Sequence, residues 1–116
     1  MSKILLTGSS GFVGSNILES FSKKNIFYII VRKNPRKDIV NNKNIKIIKF
    51  KNYTSLNKKL KKIKVNTIIH SATHYVKNHK YKDLEKLINS NILLGNILLE
   101  NLKNMKVKKF INFSTI

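Results

Sequence analysis

Cysteine is absent from these 116 residues, so neither a disulfide framework nor a thiolate metal site can be built. The chain is therefore compatible with a reducing compartment. No apolar run approaches the roughly 18 residues of a membrane span. The apolar start breaks at Thr7 and Gly8, too early for a secretory signal core, and we expect a soluble, cytoplasmic protein with no membrane partner. Proline occurs once, glycine four times, and acidic residues only five times against 24 basic ones. The scarcity of acid leaves a formal net charge of +19.

Such a charge attracts polyanions by counterion release and surface potential. Yet only Arg32 and Arg36 are arginine, and lysine, asparagine and isoleucine are abundant together, a joint bias that A/T-rich codons would produce. In "KKLKKIK" (58–64), Leu60 and Ile63 share one helical face and the lysines take the rest, the pattern of a solvated amphipathic helix. No aromatic residues interleave those lysines to stack bases. A nucleic-acid partner is the lesser reading, and steep salt dependence would reveal it.

The 41% apolar content suffices for the core of one domain, which we place over residues 1–116. Its periodicity alternates. "KILLT" (3–7) reads as a buried strand, and residues 12–24 follow as a helix with Phe12, Val13, Ile17, Leu18 and Phe21 at helical spacing. Further strands are expected at 26–32, 45–51, 65–72 and 108–115, with helices at 55–63 and 82–105. Residues 33–44 hold the single proline and several asparagines, and read as a loop. Strands alternating with helices imply right-handed crossovers and a parallel sheet. The expected fold is a doubly wound α/β Rossmann fold, five strands in order 3-2-1-4-5.

Between the first strand and the first helix lies "TGSSGFVG" (7–14), with glycines at 8, 11 and 14. Gly8 permits a tight turn, Gly11 lets backbone approach a pyrophosphate, and Gly14 lets the helix close on the sheet. Amides at the helix N-terminus then point at an anion above the strand. A strand before and a βαβ unit around these glycines are the context that a dinucleotide fingerprint requires. Ser10, Phe12 and Val13 complete the loop.

The spacing G-x-x-G-x-x-G resembles the TGxxGxxG motif of the extended short-chain dehydrogenase/reductases, the NAD-dependent epimerase/dehydratase group that remodels nucleotide sugars. Three later stretches agree in order. "NTIIHSAT" (66–73) is similar to the family's fourth strand and its His-x-Ala element, which implies that His70, Ser71 and Ala72 run beside the cofactor. "NILLGNILLE" (91–100) resembles the N-x-x-G-T-x-x-L-L-E helix, in which Asn91 would tie the helix to strands beneath the active site. "KKFINFST" (108–115) resembles the fifth strand, which ends in a substrate-orienting serine or threonine, here Thr115. The stripe Leu84, Leu87, Ile88 passes through Asn91 and Gly95 before Leu98 and Leu102, so something is expected to pack on Gly95 too closely for a side chain.

Cofactor choice turns on the end of the second strand, where an acid usually accepts from the ribose 2'-hydroxyl of NAD. Here stands Arg32, followed by Lys33. An arginine cannot accept that bond but can clamp a 2'-phosphate. NADP is the expected cofactor, with NAD possible. After the third strand the family usually has an aspartate near the adenine, and this chain has Lys51 and Asn52, so Asn52 takes that place.

The family's chemistry also uses a Tyr-x-x-x-Lys pair. Four residues after Tyr28, Tyr53, Tyr75 and Tyr81 stand Arg32, Asn57, His79 and Glu85, so no such pair occurs. The resemblance implies the amino-terminal cofactor-binding part of a nucleotide-sugar epimerase, dehydratase or reductase, truncated after strand five, with the substrate domain absent and these residues alone inactive. A homodimer is expected only for the complete enzyme. A non-catalytic module that senses the dinucleotide is the alternative. His70, His74 and His79 lie on a strand end and its loop with no acid among them, so no metal site is expected. Ending at strand five leaves that strand as an edge, and poor solubility is expected.

Overall fold

The computed structural model describes residues 1–71 and 92–113. Five strands form one parallel sheet: β1 (Lys3–Thr7), β2 (Ile26–Val31), β3 (Ile45–Lys49), β4 (Thr67–His70) and β5 (Lys109–Asn112), in spatial order β3-β2-β1-β4-β5. That is the doubly wound order expected from the alternation of strands and helices. Pairing sets Leu5 beside Tyr28 and Ile68, and Leu6 beside Ile29 and Ile69. Because successive side chains of a strand point to opposite faces, this register sorts the apolar residues into two layers.

One layer joins Leu6, Phe27, Ile29, Ile45 and Ile69 to Leu18 of α1 (Phe12–Phe21). The other joins Leu5, Ile30, Ile48, Phe50 and Ile68 to Leu56 and Leu60 of α3 (Tyr53–Leu60), to Leu98 of α4 (helical over 92–100) and to Met105 of α5 (Leu102–Met105). Helices thus cover both faces of the sheet. A sheet so covered hides both faces of its central strands, which is why β1, β2 and β4 read as near-continuous apolar runs.

Three expectations change. The segment read as a loop at 33–44 contains a one-turn helix, α2 (Lys37–Val40), which begins just after Pro35 and is too short to show periodicity. The helix expected unbroken over 82–105 is interrupted at Asn101, which separates α4 from α5. There the buried Asn101 side chain donates to the Ile97 carbonyl at 2.8 Å and to Asn57 Oδ1 on α3 at 2.7 Å, so a side chain competes for the helix's own acceptors and ties two helices together. In α1 the expected apolar face narrows: Phe12 and Phe21 are exposed, and Gly14, Ile17 and Leu18 form the side turned to the sheet.

Candidate functional site

All five strands run in parallel, so their C-terminal ends share one edge of the sheet. The strand order reverses between β1 and β4, and in open α/β sheets ligands bind outside the carboxyl ends at such a switch point. The glycine loop leaves β1 at this place. Gly8 adopts φ 72°, the left-handed region that glycine enters without a Cβ penalty, and its carbonyl accepts from the Gly11 amide at 3.1 Å. The turn delivers Gly11 as the N-cap of α1, with extended backbone and no side chain to cap with.

Gly14 shows why the loop sits where it does. A Cβ there would run into the Gly8 carbonyl oxygen and lie 2.7 Å from its carbon, both backbone atoms that cannot swing aside. The first turn of α1 therefore presses on the loop it follows. Gly11 differs: a Cβ would meet the Gly8 oxygen at 3.4 Å, an ordinary contact. Packing inside the protein would therefore admit a side chain at Gly11. No side chain caps α1 and no acid stands in its first turn, so nothing there offsets the positive helix end. Ser10, Phe12 and Val13 are exposed around this point.

Across the switch point stand His70 and Ser71, and a residue outside the expected site joins them to the loop. Thr7, 1% exposed, has its Oγ1 at 2.7 Å from His70 Nδ1 and accepts from the Ser71 amide at 3.1 Å. Ser71 Oγ donates back to the Thr7 carbonyl at 2.6 Å. The ends of β1 and β4 are thereby laced together one residue before Gly8. Burial lowers the His70 pKa below its ordinary value, so the ring is neutral at pH 7. The sequence signal for Thr7 is the first letter of the TGxxGxxG pattern.

Gly95 of α4 faces the same ring. A Cβ there would meet His70 Nε2 at 4.0 Å and nothing nearer among the described residues. Among the described residues nothing packs on Gly95 more closely than this ring. Arg32 follows β2, and its guanidinium lies over the Phe50 ring at 4.8 Å and the Tyr53 ring at 5.3 Å, while Nη2 donates to the Tyr53 hydroxyl at 2.8 Å. Asn52 caps α3 through Oδ1, which accepts from the Ser55 amide at 2.9 Å. Ala72, Asn91 and Thr115 lie outside the described residues.

A strand, a left-handed glycine turn and an uncapped helix pressed against it form a cradle that matches a known family. The model of the NAD dependent epimerase/dehydratase family matches residues 4–116. This chain belongs to that family. It is 35% identical to a dTDP-D-glucose 4,6-dehydratase of Dictyostelium discoideum over 97% of its own length and 29% of the relative's. It is 32% identical to a CDP-abequose synthase of Salmonella muenchen over 95% of its length and 36% of the relative's. The chain thus spans about a third of the curated relatives it matches. Among solved structures, Bordetella bronchiseptica WbmG in complex with NAD superposes with a TM-score of 0.79 at 20% identity, over 97% of this chain and 37% of that one. A UDP-glucuronic acid 4-epimerase mutant from Bacillus cereus, bound to a fluorinated UDP-sugar and NAD, gives 0.76 at 26% identity, over 97% of this chain and 40% of that one. Among the described residues no helix is long and apolar enough to cross a membrane.

Proposed function

We propose that this epimerase/dehydratase-family chain is the dinucleotide-binding part of an enzyme that acts on a nucleotide sugar, and that it prefers NADP(H) to NAD(H). The cradle carries the first half of the reading. Gly8 turns the chain, Gly14 lets α1 close on that turn, and Gly11 leaves the approach to the helix amides bare. A pyrophosphate is the anion such a cradle fits. The NAD complexes of the structural neighbours and the nucleotide-sugar names of the relatives support the same class.

Arg32 carries the second half. It stands where a hydrogen-bond acceptor would select the 2'-hydroxyl of NAD, and a guanidinium offers only donors. A 2'-phosphate takes two of them in parallel. When bound, the nicotinamide would supply the hydride acceptor or donor of the reaction. The chain's own share is to hold the pyrophosphate at α1, grip the adenosine end at Arg32 and border the cofactor with His70, Ser71 and Ala72. Thr115 would orient the substrate, and catalysis would need a tyrosine and lysine pair beyond these 116 residues.

Titration of the purified protein with NADPH and NADH at moderate salt tests both halves. Gly11→Asp, which places a carboxylate in the pyrophosphate's path, should abolish binding of both without unfolding the protein. Arg32→Asp should remove the preference for NADPH while retaining NADH. A folded protein that binds neither dinucleotide would refute the cofactor reading.

A further inference from the structure

Arg32 is exposed, and an exposed arginine ordinarily keeps most of its rotamer freedom. Here that freedom is restricted. The Phe50 and Tyr53 rings stand 5.8 Å apart at 44°, forming a corner, and the guanidinium rests over both. The corner is itself anchored. Phe50 is buried, and its amide donates to the Val31 carbonyl at 3.2 Å, fixing it to the end of the strand from which Arg32 departs. Tyr53 opens α3 directly after the Asn52 cap, so the Asn52–Ser55 bond sets the place from which its ring projects.

The Tyr53 hydroxyl accepts from Nη2 and so sets the guanidinium's orientation as well as its location. A guanidinium has five N–H donors in a rigid plane. Among the described residues only this one is engaged, and no carboxylate pairs with Arg32, the single ion pair there being Arg36 with Asp38. What remains, among the described residues, is a fixed fork with free donors at the C-terminal end of β2. Its complement is a dianionic phosphate ester.

We propose that Tyr53, supported by Phe50, is the positioning residue that preorganises Arg32 for the 2'-phosphate of NADP(H), and thereby sets how strongly this protein prefers NADP to NAD. The proposal rests on the dinucleotide reading above and adds to it a residue that acts through Arg32. Preorganisation raises affinity by removing the ordering cost from the binding step. The effect is confined to ligands that carry the 2'-phosphate.

The test is the ratio of NADPH to NADH dissociation constants in the unmodified protein and in Tyr53→Phe, Tyr53→Leu and Arg32→Asp, with 2',5'-ADP and 5'-AMP as fragment probes. Tyr53→Phe keeps the ring and removes the hydroxyl, and should weaken NADPH and 2',5'-ADP by about 3- to 10-fold, the worth of one hydrogen bond. NADH and 5'-AMP should stay within about twofold, since neither carries the phosphate. Tyr53→Leu should cost NADPH more than Tyr53→Phe, and in an Arg32→Asp background neither change should alter either cofactor. An unaltered ratio in both Tyr53 variants, where Arg32→Asp does alter it, overturns the positioning role and leaves the 2'-phosphate reading standing. An equal loss of NADPH and NADH in the Tyr53 variants makes Tyr53 a support for the fold and overturns the positioning role too. A ratio that Arg32→Asp leaves unchanged, or no preference for NADPH at the outset, overturns the 2'-phosphate reading with it.

Discussion

The Thr7 hydroxyl holds two polar groups in one place, His70 Nδ1 and the Ser71 amide, and removing it shows what they are worth together. Thr7→Val preserves shape but leaves the Ser71 amide and His70 Nδ1 without their partner, in a site from which Thr7 itself is shielded. Unsatisfied buried groups cost about 1–3 kcal/mol each, so urea denaturation should show a loss of at least about 1 kcal/mol, with Thr7→Ser recovering most of it. His70 adds a pH dependence. Its folded pKa lies below the unfolded value because burial disfavours the charged ring. The unfolded chain therefore takes up a proton first as pH falls, and this contribution is complete above the unfolded pKa of about 6.5 and is lost as pH drops through the folded pKa. Melting temperatures measured from pH 7.5 to 5 should fall more steeply for the unmodified protein than for His70→Gln. The glycines of the loop were legible in the sequence because their spacing is itself the signal. Thr7 opens the same pattern, but its role as a strut is not legible there, because its partners on β4 come beside it only in the fold.

At the level of elements, two glycines that look alike in sequence behave oppositely. Gly14 lies where α1 meets the Gly8 turn, and Gly14→Ala forces backbone apart, a form of overpacking that costs about 1–3 kcal/mol. Gly95 lies within α4 with its nearest foreign neighbour among the described residues at 4.0 Å, so Gly95→Ala should be accommodated and gain up to about 1 kcal/mol of helix propensity. Differential scanning calorimetry of the two variants, with the first melting below the unmodified protein and the second at or above it, checks the contrast. The motif around Gly95 suggested a crowded contact because a stripe of core positions passes through it. Spacing reports which face a residue occupies, and it carries no information about how near the opposite element stands. The same limit explains Asn101, which ends α4 through a bond to a helix reached only by the fold.

For the whole molecule, the two edges of the sheet differ in how they are protected. On β3, exposed Lys46 and Lys49 place charge along the outer strand, which discourages pairing with another chain. On β5, Ile111 and the following Phe113 are each 42% exposed, and among the described residues β5 pairs only with β4. This 116-residue chain should therefore self-associate with rising concentration, and Ile111→Lys should reduce that association in sedimentation velocity. A monomer at every concentration before any substitution would refute the assignment of β5 as the adhesive edge. The alternation of apolar strands with amphipathic helices determined the parallel sheet and its order without any structure, because buried strands and one-faced helices leave few ways to close a core. Four glycine-bearing or polar motifs in register likewise determined the family. Which residues serve the site through others was decided only by the tertiary structure. The Thr7 strut and the Phe50–Tyr53 corner under Arg32 join groups that depend on strand pairing or helix placement, and hydrogen bonds and ring stacking reach only a few ångströms.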